Sequence, residues 1–356
     1  MDNHTSYSPS VTVVIPTFNR LPDLKRAIAS LGDQSIPRHQ FEIIVVDNQS
    51  TDGTEEWIRE FGRSSDIRIR YYRKEPEGPG AARNLGAHEA SGGCVIFLDS
   101  DVTLDPHWVH DALDFLEKEP DVGMLGGRLV YAHEEDRLNS YGGCLGPIGI
   151  AWDDNEGLSV GTAKDPKETL WLSTAAVMVR TSVIREIGGF DATFFYGYED
   201  SDLGWRVNLA GYKVVALPSL TAYHYVGPEI VQSNAKIVFH YSKNRLRSVI
   251  KNYSCGRLLR YVPPYLAYSW MDVLVRRFRL AKLKALLWNL RMLPDTLRVR
   301  RAVQATRRRS DDELAKLFSR SWFPPTPLAG KRRRPFPEGR DSSPGNKAIA
   351  RDDRVE

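Results

Sequence analysis

Asp99-Ser100-Asp101 stands directly after the apolar run Cys94–Leu98. Two carboxylates one residue apart at the end of a strand can share one hard cation. Mg²⁺ or Mn²⁺ takes oxygen ligands and keeps positions free for phosphate. The same three residues also suit a turn or a helix cap. Asp47 closes a second apolar run, Ile43-Ile44-Val45-Val46, and opens the stretch Asn48-Gln49-Ser50-Thr51-Asp52-Gly53. A carboxylate there can accept a pyrimidine N–H or a ribose hydroxyl, whereas Thr51 and Asp52 suit a turn and the cap of the next helix. Gly78-Pro79-Gly80-Ala81-Ala82-Arg83-Asn84 opens a helical pattern with small residues. Small residues admit close approach of a ligand and a helix start favours anions, so Arg83 reads either as a base or phosphate contact or as a surface residue on a tightly packed helix. In Tyr198-Glu199-Asp200-Ser201-Asp202, ahead of another helical pattern, Asp200 is either an N-cap or a general base that takes the proton of an attacking hydroxyl. His224, between Tyr223 and Tyr225, is either a packed residue or a metal ligand.

These clusters need a scaffold that gathers strand ends. Val11–Pro16, Phe41–Asp47, Ile67–Arg73 and Cys94–Asp99 read as strands, and Pro22–Gln34, Thr54–Gly62, Gly80–Ser91 and Pro106–Glu119 as helices. The apolar runs are continuous rather than alternating, as expected of strands buried on both faces of a parallel sheet. Strand–helix alternation predicts βαβ units whose ligands sit at the carboxyl ends of the strands, where Asp47 and Asp99 fall. Beyond Asp121, strands are expected over Val122–Tyr131, Thr169–Arg180 and Gly211–Pro218, with a Gly-rich loop over Tyr141–Gly161 and short helices over Thr181–Gly188 and Ser201–Ala210. The sheet is therefore expected to be mixed.

Taken in order, Val14-Ile15-Pro16-Thr17-Phe18-Asn19-Arg20, Val46-Asp47-Asn48-Gln49-Ser50-Thr51-Asp52-Gly53-Thr54, Arg83-Asn84, Leu98-Asp99-Ser100-Asp101 and Gly188-Gly189-Phe190-Asp191 followed by Tyr198-Glu199-Asp200-Ser201-Asp202-Leu203-Gly204-Trp205-Arg206 resemble family 2 glycosyltransferases, over roughly residues 8 to 230. The resemblance implies a GT-A-type α/β/α sandwich with a mixed central sheet, transfer from a nucleoside-diphosphate sugar with inversion, and a rhamnosyltransferase-like subgroup. It implies that Pro16, Thr17 and Asn19 form the first nucleotide-contacting loop, that Asp47 recognises the base and that Arg83 lies beside the nucleotide. Asp99, Ser100 and Asp101 match the D-x-D that holds ribose, metal (Mg²⁺ or Mn²⁺) and diphosphate. Asp200 matches the base, Glu199 lies beside the acceptor, and His224 matches a histidine that completes the metal site in some members. A base of ordinary carboxylate pKa is ionised at neutral pH, so this chemistry asks for no large shift. Two departures stand out. Thr174 replaces the usual Gly in Thr174-Ala175-Ala176-Val177-Met178-Val179-Arg180, and the Gln-x-x-Arg-Trp mark of processive synthases is missing, so one sugar per encounter is expected.

The net charge of +4 hides an asymmetry. Arg245 to Arg309 holds 17 Lys and Arg against Asp272 and Asp295, hence +15 (17 − 2), and the rest carries −11 (4 − 15). Leu280, Leu283, Leu287 and Leu290 recur among Arg279, Lys282, Lys284 and Arg291 at helical spacing. A basic amphipathic helical region over 227–325 is expected to lie on an anionic membrane surface without crossing it, since no run approaches the ~20 apolar residues a span needs. The acceptor expected is then a glycan or lipid-linked precursor of the cell envelope, and the location cytoplasmic, on the inner face of the membrane. The division expected is 8–226 for the transferase domain, 227–325 for the helices and 326–356 for a disordered tail. Three scattered cysteines, Cys94, Cys144 and Cys255, argue against a disulfide framework, and the polar start of the chain reads as no secretory signal. Two other readings are a nucleotide-sugar-binding protein without catalysis and a nucleic-acid-binding protein using the basic region. The intact carboxylates oppose the first, and the apolar residues among the charges oppose the second.

Overall fold

A computed structural model of the chain describes residues 9–153, 155–226, 234–275 and 277–324. The tail expected to be disordered, 326–356, lies outside the described residues.

β1 (Val11–Thr17), β2 (Phe41–Asp47), β3 (Arg68–Arg73) and β4 (Cys94–Leu98) pair in parallel in the order β4-β1-β2-β3. Helices α1 (Leu21–Gly32), α2 (Thr54–Ser64) and α3 (Pro79–Glu89) connect them, and α4 (Trp108–Lys118) follows β5 (Val102–Leu104). Every residue of β1, β2 and β4 is buried, because alternate side chains enter different cores. Val13, Ile15, Ile43 and Ile96 pack with Leu24 and Ile28 of α1 and Trp108 of α4, whereas Val14, Ile44, Val95 and Phe97 pack on the opposite face with Ala82 of α3. Gly86 lets α3 lie against β1, since a Cβ there would stand 2.2 Å from Val14 Cγ1.

The sheet is mixed, as expected. β11 (Ala176–Arg180) runs antiparallel between β4 and β6 (Val122–Tyr131). β12 (Lys213–His224) runs parallel to β6, and β5, β7 (Glu134–Ser140) and β10 (Lys167–Glu168) add antiparallel edges. Three expectations need correction. The strand expected over Thr169–Arg180 begins only at Ala176; ahead of it Trp171 makes an isolated bridge to Gly143, and Asn208 Nδ2 donates to the carbonyls of Thr169 and Leu170. The loop over Tyr141–Gly161 contains a hairpin, β8 (Gly143–Leu145) and β9 (Ala151–Asp153). The strand expected to stop at Pro218 resumes its pairing with β6 at Thr221 and runs on to His224. Pro218 falls at a register shift between Leu217 and Thr221, where its missing N–H costs no ladder bond.

After α5 (Thr181–Glu186) and α6 (Glu199–Leu209), the chain ends in α7 (Ala235–Asn252), α8 (Cys255–Val275), α9 (Arg279–Arg291) and α10 (Leu293–Ala305). Among the described residues, no helix is long and apolar enough to cross a membrane. Much of the basic stretch points inward. Arg247 and Lys251 are buried against Asp191, Arg300 donates to the carbonyls of Ile250 and Tyr253, and Arg309 bonds Glu168 and Asn208.

Candidate active site

Thr17, Asp47 and Asp99 stand at or just past the carboxyl ends of β1, β2 and β4, the edge where the parallel part of the sheet opens. The first two loops are laced together. Asn19 sits at φ +50. Its N–H donates to Ser50 Oγ at 2.8 Å, and its Oδ1 accepts from the Thr51 N–H at 2.8 Å. Ser50 in turn donates through N and Oγ to Asp47 Oδ1, and the Tyr71 hydroxyl donates to Asp47 Oδ2 at 2.7 Å. Asp47 is fully buried. These bonds take three of its roughly four acceptor positions, leaving capacity for one ligand donor. Pro16 and Thr17 are buried in the strand end, and Thr17 Oγ1 and Asn48 Oδ1 have no protein partner.

Arg83, on α3, is buried and donates from Nη2 to Asp99 Oδ1 at 2.5 Å, while its Nε and Nη1 lack partners. A buried guanidinium with idle N–H groups is costly unless an anion or polar ligand completes it. Its seat explains two further motif residues. Asn84 Nδ2 donates to the Phe190 carbonyl and Asn84 Oδ1 accepts the Phe190 N–H, at 2.9 and 2.7 Å. The Phe190 ring then lies 5.6 Å from the Arg83 guanidinium. Gly189, at φ +70, makes the turn, and a Cβ there would meet Asn84 Oδ1 at 2.4 Å.

Ser100 and Asp101 are buried. β12 delivers His224 beside them, since His224 pairs with Val102, the residue after Asp101. His224 Nε2 lies 3.5 Å from Asp101 Oδ1, and Arg20 Nη1 donates to Asp101 Oδ2 at 2.9 Å. Burial works against the Asp101 carboxylate, yet His224 and Arg20 hold its pKa below the ordinary value. On the far side of the ring, His224 Nδ1 is 2.9 Å from Asn139 Oδ1. An amide oxygen only accepts, so Nδ1 carries a proton. Nε2 then either carries a second proton toward Asp101 or presents a lone pair to it. The second arrangement is a seat for a cation: a carboxylate oxygen and an imidazole nitrogen face each other, and the tautomer is set from behind. The donor set fits Mg²⁺ or Mn²⁺, with phosphate to complete the shell. Among the described residues no group of three or more His, Cys, Asp or Glu is gathered in metal-ligand geometry, and Asp99 Oδ1 is bonded to Arg83.

Glu199 and Asp200 open α6 behind Tyr198, whose φ is +72. Thr174 Oγ1 donates to Asp200 Oδ1, so the Thr that departs from the family pattern bonds the expected base directly. Burial and the neighbouring Asp200 charge push Glu199 up to about 8, and its Oε2 has no partner. Burial also raises Asp200, against the lowering effects of Arg83 and Thr174. The chemistry asks for no large shift, yet the two acids are packed side by side, half-buried, in surroundings that raise both. Beside them Tyr196, Tyr198 and Tyr241 cluster, with Tyr241 5.8 Å from Tyr198 and partly exposed.

Arg20, Asn139, Tyr71 and Tyr241 were not singled out by sequence. Arg20 lies inside a motif already quoted. The others come from strands and a helix whose role depends on what packs against them.

Residues 12–187 match the model of the family described as Glycosyl transferase family 2. The chain is 32% identical over 217 residues to pre-mycofactocin glycosyltransferase of Mycobacterium tuberculosis, covering 58% of this chain and 42% of that protein. It is 25% identical over 226 residues to glycosyltransferase AglE of Haloferax volcanii, covering 63% of this chain and 69% of that one. It is 32% identical over 230 residues to validoxylamine A glucosyltransferase of Streptomyces hygroscopicus, covering 59% and 54%. Among solved structures, GalNAc-T7 with UDP, GalNAc and Mn²⁺ superposes with a TM-score of 0.60 at 17% identity, covering 74% of this chain and 52% of that one. S. aureus TarS with UDP-GlcNAc superposes at 0.54 and 17% identity, covering 83% and 89%. These superpositions carry the GT-A fold.

Proposed function

Through residues 12–187 the chain belongs to glycosyl transferase family 2, and from that premise we propose that it moves one sugar from a nucleoside-diphosphate sugar to an acceptor hydroxyl with inversion. The observation that carries this reading is the meeting of a buried, incompletely bonded Arg83, the Asp101–His224 pair and the Glu199–Asp200 acids at one edge of the sheet. Pro16, Thr17, Asn19 and Asp47 line the nucleotide side, where the idle Thr17 Oγ1 and the remaining acceptor site of Asp47 can take ribose or base. Arg83 meets the diphosphate with its two unused donors. Asp101 and His224, with Asp99 and Ser100 beside them, would hold Mg²⁺ or Mn²⁺, which offsets diphosphate charge in the leaving group. Mn²⁺ in the GalNAc-T7 structure supports that choice.

Asp200 accepts the proton of the attacking hydroxyl, and Glu199 orients the acceptor. The tyrosines beside them present ring faces for an acceptor sugar. A hexose or deoxyhexose is the sugar class transferred. The absence of Gln-x-x-Arg-Trp supports one transfer per encounter. The acceptor is a glycan or lipid-linked precursor of the cell envelope, met by an enzyme held peripherally on the cytoplasmic face of an anionic membrane. The inward pairing of Arg247, Lys251, Arg300 and Arg309 counts against nucleic-acid binding, which needs those charges at a surface.

A screen of nucleoside-diphosphate sugars, read by release of nucleoside diphosphate with and without acceptor, tests the proposal. Release with one donor class, lost on chelation, is expected. No binding of any nucleotide sugar would overturn it.

A further inference from the structure

On α9, Leu280, Leu287 and Leu290 face away from the protein, whereas Leu286 packs against the cluster of Leu246 and Tyr265. The buried positions of the helix are Ala281, Ala285 and Asn289, one helical face of small residues that lets α9 press against α7. Leu280, Leu287 and Leu290 stay 75, 56 and 69% exposed. α8 repeats the pattern on its own surface. It buries Tyr265 and Ser269, and exposes Leu259, Leu266, Trp270 and Leu274, spaced by seven and then four residues. Soluble chains scatter exposed apolar residues singly; aligned stripes on consecutive packed helices mark a contact surface. Exposed basic residues rim it: Arg260 on α8, and Arg279, Lys284 and Arg291 on α9.

We propose that this α8–α9 face lies in an anionic lipid surface, its leucines and Trp270 inserted among the acyl chains and its arginines at the headgroups. Charge and composition select the occupant. A basic rim around an aliphatic stripe with a tryptophan complements anionic lipid. The undescribed end of the chain, 325–356, is poor in large apolar residues, with only Leu328, Phe336, Ile349 and Val355 to offer. The geometry also links this face to the reaction. Tyr241, beside the acid pair, sits on α7, and the same helix stacks Lys243 on Trp288 of α9 and Arg245 on Tyr265 and Tyr268 of α8. The acceptor side of the site is thus one helix removed from the lipid-facing surface. This deepens the proposed function by naming how a lipid-linked acceptor reaches the site. It also shifts the weight of attachment from charge to apolar insertion, because many of the cations are consumed internally.

Flotation of the full chain with vesicles of phosphatidylcholine alone, or mixed with phosphatidylglycerol, tests it. The chain should float with the anionic vesicles and keep most of its attachment at about 1 M salt, where the Debye length is ~3 Å. Leu274→Glu with Leu280→Glu should lower the bound fraction at least about tenfold, since two inserted leucines are lost, while the thermal melt and nucleotide-sugar binding stay unchanged. Arg279→Glu with Lys284→Glu should weaken low-salt binding but spare the salt-resistant part. No flotation at low salt, or equal flotation of the leucine variant, would overturn the inference. So would a concentration-dependent dimer that the leucine variant dissolves, with no flotation, since a second copy would then cover the face. Flotation does not depend on sugar transfer, so its failure with donor binding intact counts against the membrane attachment and leaves the transferase reading standing.

Discussion

At the residue scale, the acids at the start of α6 pose the sharpest question, because burial works against their ionisation. Asp200→Asn should leave donor binding in place and lower transfer by about 10²–10⁴-fold, the range for a general base. Calorimetry of donor binding beside a transfer assay separates the two effects. The pH profile follows from the raised Asp200. The base must be ionised, so the rate climbs with pH along an acidic limb that lies above the ordinary Asp value of about 3.9. Thr174 donates to the ionised form and lowers the Asp200 pKa, so Thr174→Ala should move the limb to higher pH. A limb that moved down would contradict the assignment. Asn139 offers a test on the other side of the site. With Asn139→Leu, nothing accepts the His224 Nδ1 proton and the ring loses its fixed tautomer. Mn²⁺ affinity, followed by electron paramagnetic resonance, should fall about 10–100-fold, as for other outer-sphere partners.

At the element scale, α7 grips the segment that leads into α6. Lys243, Asn244, Arg247, Ser248, Lys251 and Asn252 recur along one helix face and are buried. Lys243 Nζ donates to the Thr193 carbonyl, and Asn244 Nδ2 to those of Tyr196 and Gly197. Arg247 and Lys251 meet Asp191, and Lys251, Ser248 and Asn252 meet Asp202. Removing one member of a buried ion cluster strands the others. Lys251→Met should therefore cost about 3–5 kcal/mol in denaturant unfolding. The linkage has a definite sign. Burial opposes both carboxylates, but Lys251 with Arg247 lowers Asp191, and Lys251 with Arg206 lowers Asp202. Their folded pKa values lie below the unfolded value, so the stabilisation is complete above about pH 4 and is lost as pH falls through the folded values. Lys251→Met should flatten that acid dependence.

At the scale of the whole molecule, the C-terminal helices complete the core under the site. Trp205 and Leu209 of α6 pack with Val249 and Tyr253, and with Val303, Leu314 and Leu317. A chain ending at residue 226 would uncover this cluster and leave Asp191 and Asp202 without their cations. It should aggregate or lose its cooperative thermal transition, which size-exclusion chromatography and a melt would detect. A truncated chain that melted like the full one would mean that the helices merely rest on the transferase fold.

The parallel half of the sheet was legible in the residues themselves, because strands buried on both faces must be apolar throughout and polar residues at their ends stand out. Phe41–Asp47 and Val122–Tyr131 were read to their exact limits, and the order of the polar clusters carried the family. What a polar residue faces is not written beside it. The recurring Lys-Asn, Arg-Ser and Lys-Asn pairs of α7 look like a solvated stripe until Asp191 and Asp202 arrive from remote parts of the chain. The spacing of the α9 leucines marks an apolar face, but that Ala281 and Ala285 form the face that packs, leaving Leu280, Leu287 and Leu290 exposed, depends on which elements lie beside the helix. Burial and pairing are properties of a residue's neighbours in space, so the raised acids, the Asn139–His224 bond and the outward leucines were decided only when distant segments met.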